Sequence, residues 1–224
     1  MAAEEVPRWL LAPGLIALTL LCFSLSAAGW GGWGPLLSNP ARATFVALSL
    51  AAMVIALLSP LNVSSGKRED TRNRWILLPG LLGPLLLFWL LAYLDRRDRW
   101  VVDGDTARWV GVALVLVGSV LRICPMFVLG RRFSGLVAIQ EGHTLVTDGP
   151  YRFIRNPSYL GALLGAIGWP LVFRSAPGVI VIALLGGVLL VARMDAEEAL
   201  LASEFGEQYD AYRRRTWRLV PWLY

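Results

Sequence analysis

The chain has 224 residues, of which 56% are hydrophobic and 17% charged. This composition excludes an ordinary soluble domain and favours an integral membrane protein. The formal charge of +5 does not indicate a nucleic-acid partner, because the basic residues lie between hydrophobic segments, where they usually fix membrane topology.

Hydrophobic runs predict an all-α, polytopic membrane bundle of five to six spans. The predicted spans, in chain order, are about 10–28, 41–58, 75–94, 109–129, 159–173 and 178–192. Each of the last two would be about 22 Å long, less than the hydrocarbon core of about 30 Å. They either cross the membrane, where the bilayer is locally thinned or polar helix ends complete the crossing, or form a re-entrant hairpin. In each case the two segments are joined by a tight turn at 174–177. In both cases the chain returns to the face that it left.

We therefore expect a single membrane domain over residues 1–224. Residues 1–129 supply the N-terminal spans, and residues 130–224 supply a cofactor-binding core with the helical hairpin and an amphipathic C-terminal helix. The distribution of Lys and Arg between the two faces predicts that this core faces the cytoplasm, in a cell or inner membrane. The basic loop at 95–108, on the other face, weakens that contrast.

Two polar segments return to the same predicted face. The first begins at His143, the only histidine, and continues through Tyr151 and the run 155–159. The second follows the hairpin and contains Arg193, Glu197 and Glu198. Arg193 and Glu197 are four residues apart and share a helix face, as they would in a surface ion pair that anchors a helix end. Two acidic residues opposite the first segment favour a binding site instead.

An amphipathic helix is predicted beyond these residues. Its apolar face carries Leu201, Phe205, Tyr209 and Tyr212 at helical spacing. Such a helix lies in the lipid headgroups or closes over a cofactor, and the spacing does not distinguish the two.

Other motifs are given structural interpretations. Gly161 and Gly165 form a G-x-x-x-G pair that favours close helix packing. Arg122 lies inside a span but within about two turns of its end, so its side chain is expected to reach the headgroups, and it is left out of the site. With one histidine and two cysteines the chain has no familiar zinc spacing, so no metal is predicted.

From about residue 130 to 221, the sequence resembles the C-terminal core of the isoprenylcysteine carboxyl methyltransferases and their bacterial and archaeal relatives. That family carries, in order, H-x-L-V, G-x-Y, R-H-P-x-Y-x-G, R-x-x-x-E-E and F-G-x-x-Y-x-x-Y. The matching segments are 143–146, 149–151, 155–161, 193–198 and 205–212. Asn156 stands where the eukaryotic enzymes have histidine, so proton transfer is not expected there, although the amide still forms hydrogen bonds.

The resemblance implies an integral membrane methyltransferase that binds S-adenosylmethionine without a Rossmann domain and releases S-adenosylhomocysteine. It implies a lipophilic methyl acceptor such as a prenylated cysteine, and it gives Arg193 the acceptor-side, catalytic role. The cofactor contacts that it implies are His143, Thr144, Leu145, Val146, Tyr151, Asn156, Pro157, Ser158, Tyr159 and Glu197. A carboxylate acceptor is already ionised at neutral pH, so the reaction needs no general base.

Three alternatives differ in function. A methyltransferase of the same architecture could act on an amine or thiol of a lipid or small hydrophobic molecule. A reductase related to the membrane sterol reductases would use NADPH. A non-catalytic membrane protein would use the two polar segments for assembly only.

Overall fold

The computed structural model describes residues 8–59, 68–69, 77–129, 138–139 and 145–224, and this part of the chain is almost entirely helical. The helices are α1 (Arg8–Trp30), α2 (Trp33–Leu37), α3 (Pro40–Leu58), α4 (Leu77–Arg96), α5 (Thr106–Leu129), α6 (Pro157–Val172), α7 (Ala176–Phe205) and α8 (Glu207–Arg214). A short 3₁₀ helix (Gly149–Arg152) precedes α6. The strands β1 (Arg68–Glu69) and β2 (Ala138–Ile139) pair antiparallel.

The predicted all-α membrane fold is confirmed. Four helices are long and apolar enough to cross a bilayer in the described part of the chain, namely α1, α3, α5 and α7. The helix α6 has 16 residues, about 24 Å, and is short as expected.

The prediction that the sixth span is also short was wrong. The helix α7 has 30 residues and is therefore about 45 Å long. The expected end at residue 192 rested on the loss of hydrophobicity, but Ala, Leu, Glu and Arg are good helix formers and continue the helix. Its last turns therefore carry Arg193 and Glu197 on a continuous, rigid element.

Local sequence explains where the helices of the hairpin begin. Pro157 is the first residue of α6, where its missing N–H costs no hydrogen bond. At the start of α7, the Ser175 Oγ accepts a hydrogen bond from the Gly178 N–H over 3.1 Å. The turn between the two helices contains Arg174 with φ of 52°. The expected tight turn is therefore present, but it covers 173–175 because α7 already begins at Ala176.

Glycines allow α5 and α6 to pack with their backbones close together. A Cβ added to Gly118 would lie 2.5 Å from the Gly165 N, and one added to Gly161 would lie 2.5 Å from the Arg122 N. Gly161 therefore packs as the G-x-x-x-G pattern predicts. Gly165 differs, because a Cβ added there would meet no atom within 4 Å. The close approach at Gly118 and Gly161 holds the N-terminal end of α6 against the middle of α5.

A buried ion cluster joins the helices at the other end of α6. The Asp95 carboxylate, with a fully buried side chain, accepts from Arg108 over 2.6 and 2.9 Å and from the Arg174 Nε over 2.7 Å. Arg42 lies 3.7 Å from Asp95, and its guanidinium stacks on the Trp30 ring. The cluster links α3, α4 and α5 to the α6–α7 turn.

Candidate active site

The side chains of Tyr159, Arg193 and Glu197 meet between α6 and α7. The Tyr159 hydroxyl donates a hydrogen bond to Glu197 Oε2 over 2.6 Å. The Arg193 Nε donates to the same hydroxyl over 3.0 Å. Arg193 and Glu197 lie one turn apart on α7, so Tyr159, near the start of α6, reaches both. The first and second polar segments therefore form one cluster.

Arg122 joins this cluster from α5. Its NH1 donates a hydrogen bond of 2.7 Å to the Oγ of Ser158, the residue before Tyr159. The expectation that Arg122 only extends to the headgroups was therefore wrong: its guanidinium turns toward α6. A charged residue inside a span was the signal that could have placed it in the site, because such residues are costly unless they have a role.

A second polar cluster attaches the C-terminal segment to the start of α6. The Asn156 Nδ2 donates to Glu198 Oε1 over 2.9 Å and to the Arg218 carbonyl over 3.1 Å. Arg155 donates to the Thr216 carbonyl over 2.6 Å, and the Arg155 and Arg218 side chains both lie within 3.4 Å of Glu198. The Asn156 amide thus holds the C-terminal segment in place, while its cofactor contact stays a prediction.

The expected amphipathic helix is divided in two. Phe205 ends α7, and Gly206 adopts φ of 49° before α8 begins. A left-handed backbone of this kind suits glycine, which the spacing of the aromatic residues did not take into account. After the break, α8 packs against α7 and contacts the 3₁₀ helix, and Tyr209 and Tyr212 are buried there. The prediction of one continuous helix through Leu201 and Tyr212 was therefore wrong, although the predicted aromatic face exists.

Tyr212 connects α8 to the 3₁₀ helix. Its hydroxyl donates to the Tyr151 carbonyl over 2.8 Å. Burial raises the pKa of Tyr212 to about 12, and it also raises the pKa values of Tyr151 and Tyr209. These phenols therefore remain neutral hydrogen-bond donors at physiological pH. The Tyr209 hydroxyl is buried without a partner among the described residues.

The structure shows fewer contacts, or none among the described residues, for the remaining predicted site residues. Leu145 and Val146 are half-buried in an irregular segment before the 3₁₀ helix, and no hydrogen bond between described residues ties them to the cluster. Pro157 is buried at the start of α6 and shapes its first turn. His143 and Thr144 lie outside the described residues.

The site therefore combines cations and a carboxylate at the N-terminal end of a short membrane helix. Two guanidinium groups, from Arg122 and Arg193, approach consecutive residues of α6, and Glu197 adds a negative charge beside them. Such an arrangement can hold an anion on one side and a polar or cationic group on the other. The fold and this cluster define a polytopic helical membrane protein with a group of charged side chains at one end of its spans.

Comparisons with known proteins assign the chain to a family. The family profile of the isoprenylcysteine carboxyl methyltransferases (ICMT family) matches residues 110–203. Protein-S-isoprenylcysteine O-methyltransferase A of Arabidopsis thaliana is 32% identical over 147 residues, which cover 62% of this chain and 72% of that protein. The probable protein-S-isoprenylcysteine O-methyltransferase of Oryza sativa subsp. indica is 27% identical over 135 residues, which cover 59% of this chain and 68% of that protein.

A yeast relative and a solved structure also match the chain. The match to the protein-S-isoprenylcysteine O-methyltransferase of Schizosaccharomyces pombe spans 48% of that protein, at 32% identity over 112 residues and 49% of this chain. A solved structure of the eukaryotic intramembrane Ras methyltransferase ICMT shares the fold, with a TM-score of 0.56 and 21% identity. The alignment covers 93% of this chain and 74% of that chain.

The chain belongs to the isoprenylcysteine carboxyl methyltransferase family. The predicted family, the membrane fold and the methyltransferase class are thereby confirmed. Membership implies a methyl donor and a membrane setting.

Proposed function

We propose that this protein transfers a methyl group from S-adenosylmethionine to the carboxylate of a lipophilic acceptor, such as a prenylated cysteine, at the cytoplasmic end of its membrane domain. The plant and yeast relatives are protein-S-isoprenylcysteine O-methyltransferases by name, which supports the acceptor class. The basic residues Arg213, Arg214 and Arg215, exposed on and just after α8, support the cytoplasmic orientation.

One observation carries the proposal: the Tyr159 hydroxyl lies between Arg193 and Glu197. The hydroxyl donates its proton to the carboxylate and accepts from the guanidinium, so it fixes both charged groups relative to each other. Fixed charges need little reorganisation when the reactants bind. Tyr159 therefore separates an acceptor side, at Arg193, from a cofactor side, at Glu197.

On the acceptor side, the two guanidinium groups suit a carboxylate. Arg193 and Arg122 present planar N–H donors, which bind carboxylates through parallel hydrogen bonds. A carboxyl group whose ordinary pKa is about 4 is ionised at neutral pH, so an oxygen of the acceptor attacks without a general base. Arg193 and Arg122 orient that oxygen, and no proton has to move.

On the cofactor side, the donor set fits a cationic ligand rich in hydroxyl groups. Glu197 uses Oε2 for Tyr159, and its Oε1 accepts no hydrogen bond from another described residue, so it is available to an ammonium or ribose hydroxyl group. The buried Tyr209 hydroxyl also lacks a partner among the described residues. S-adenosylmethionine, when bound, supplies an electrophilic methyl group whose bond to sulfur breaks as the ester bond forms, with the electron pair left on sulfur.

The C-terminal segment supports the chemistry by excluding water. The Asn156–Arg218 contact and the Tyr212–Tyr151 contact hold α8 and the following residues against the 3₁₀ helix and the start of α6. A less hydrated site strengthens the interactions of Arg193 and Glu197 with their ligands. It also keeps the two reactants aligned.

The proposal is tested with the full chain in lipid nanodiscs, radiolabelled S-adenosylmethionine and S-farnesylcysteine as the acceptor. Arg193→Ala is expected to reduce turnover at least about 100-fold while S-adenosylhomocysteine still binds, because it removes a charged contact to the acceptor. Glu197→Ala is expected to weaken S-adenosylhomocysteine binding, measured by isothermal titration, by about tenfold or more. Unchanged turnover and binding in both variants would reject these assignments.

The pH dependence of the wild-type protein separates the acceptor classes. A carboxylate acceptor gives a flat rate above about pH 5, because it is ionised throughout. An amine acceptor has to lose a proton before it attacks, so its rate rises with pH until it is neutral. A rate that rises from neutral to alkaline pH would indicate that the acceptor group is an amine or thiol and not a carboxylate.

A further inference from the structure

A large pocket lies between the helices of the bundle, directly below the cluster. It has a volume of about 510 Å³, is lined by α1, α3, α4, α5 and α6, and is open along part of its surface. Pockets that hold small molecules commonly measure about 300–1,000 Å³. On α6 its lining extends from Gly161 to Trp169, which is about 12 Å along the helix axis. The cavity is thus long enough to enclose a substantial part of a lipid chain.

The charge of the lining is confined to one end. Arg122, the only charged residue among the described residues that line the cavity, also contacts Ser158 in the cluster. The hydroxyl groups of Thr19 and Ser49 bond to carbonyls of their own helices, so they offer little to a polar ligand. An occupant with an anionic head at Arg122 and an apolar chain below it matches this distribution of charge.

The deep end of the cavity is closed by aromatic rings. Phe88 stacks on Trp169 with ring centroids 4.1 Å apart, and Phe23 packs edge-on against Phe88 and Phe45 at 5.6 and 5.7 Å. These rings hold one another in place, so they form a rigid floor. These rings therefore limit how far an apolar chain that enters from the Arg122 end can extend.

Gly165 lines the cavity about halfway along its α6 wall, one turn below Gly161 and one turn above Trp169. A Cβ at this position would meet no atom within 4 Å, in contrast to Gly161 and Gly118, whose added Cβ atoms would collide with neighbouring backbone. A larger side chain at Gly165 can therefore project into the cavity without forcing α5 and α6 apart.

We propose that this cavity holds the apolar chain of the methyl acceptor and that Gly165 determines how long that chain can be. The inference rests on the proposed function, since the acceptor is a lipophilic carboxylate only under that proposal. Gly165 acts as a specificity residue: it contacts neither the reacting atoms nor Tyr159. The absence of a side chain there leaves the lower half of the cavity open down to Trp169.

The test compares Gly165→Leu with wild type on cysteine acceptors that carry geranyl, farnesyl and geranylgeranyl chains. We expect kcat/KM for the two longer chains to fall at least about tenfold, because the new side chain occupies space that they need, while geranyl changes by less than about twofold. Gly187→Leu is the matched control, since an added Cβ there also meets no atom within 4 Å but Gly187, on α7, does not line the cavity. Equal losses for all three acceptors, or the same pattern in the control, would overturn the inference.

Photo-crosslinking locates the chain without relying on turnover. S-farnesylcysteine with a diazirine at the end of its chain is expected to label peptides containing Phe23, Phe88 or Trp169 in wild type and much less in Gly165→Leu. Labelling only of lipid-facing α7 residues would overturn the inference. Labelling of the floor without methyl transfer to any acceptor would leave the cavity assignment standing and reject the proposed function.

Discussion

Removing the Tyr159 hydroxyl tests the arrangement on which the proposed mechanism depends. Tyr159→Phe keeps the ring, which is buried between α6 and α7, and removes only the oxygen that joins Arg193 to Glu197. Arg193 and Glu197 keep their charges but lose the atom that fixes their relative position. A loss of activity in this variant therefore reports on alignment, with net charge unchanged.

The size of the effect follows from the two contacts. The hydroxyl donates to Glu197 over 2.6 Å and accepts from Arg193 over 3.0 Å. A hydrogen bond to a charged group contributes about 1.5–3 kcal/mol. If the transition state loses one such contribution, kcat/KM falls about 10- to 150-fold, because about 1.4 kcal/mol corresponds to a factor of ten.

The assay measures methyl transfer to S-farnesylcysteine in nanodiscs, with thermal unfolding followed in parallel. Tyr93→Phe is the matched control: Tyr93 lies on α4, where its ring stacks on Trp89, away from the cluster. The control is expected to keep wild-type kcat/KM within about twofold. If Tyr159→Phe also stays within about twofold while both proteins remain folded, the Arg193–Tyr159–Glu197 arrangement has no part in catalysis.

Three further predictions concern acceptor binding, stability and pH. Arg122→Leu is expected to raise KM for the acceptor about tenfold or more and to leave S-adenosylhomocysteine affinity unchanged in calorimetry; a loss of cofactor affinity alone would contradict the acceptor-side assignment. Asp95→Asn is expected to reduce stability by about 3–5 kcal/mol in thermal or denaturant unfolding, because it removes the charge shared by Arg108 and Arg174. Asp98 also pairs with Arg174 but is exposed, so Asp98→Asn should cost no more than about 1 kcal/mol. Burial raises the pKa of Tyr212 to about 12, so the neutral phenol is favoured in the folded protein. This contribution to the free energy of unfolding is fully present below about pH 10 and is lost as the pH rises through about 12. Between these pH values, the free energy of unfolding of Tyr212→Phe should fall by about 1–3 kcal/mol less than that of wild type. If the free energies of the two proteins fall in parallel with pH, the assignment is refuted.

Features that depend on local sequence were predicted well. Runs of apolar residues place α1, α3 and α5 within a few residues, because the length of a hydrophobic run and the thickness of a bilayer are directly related. The order and spacing of the polar motifs were sufficient for the family, which the family match and the plant relatives confirm.

The two polar segments were expected on one face, but other features that depend on contacts between distant residues were not predicted. The role of Arg122 in the site appears only when α5 packs against α6 through Gly118 and Gly161, which brings its guanidinium to Ser158. In the sequence, Gly161 and Gly165 look equivalent, yet a Cβ added to Gly161 would collide with the α5 backbone, whereas one added to Gly165 would meet no atom within 4 Å. Which side of a helix meets a neighbour depends on the packing of the whole bundle.

The amino-acid order alone established a helical membrane protein with two polar motifs that resemble one enzyme family, because hydrophobic length and motif spacing are properties of contiguous segments. The folded chain decided that Tyr159 meets Arg193 and Glu197, that the chain breaks at Gly206 between α7 and α8, and that a pocket lies below Arg122. Those outcomes depend on distances between residues far apart in the chain, and such distances are fixed only when the helices pack.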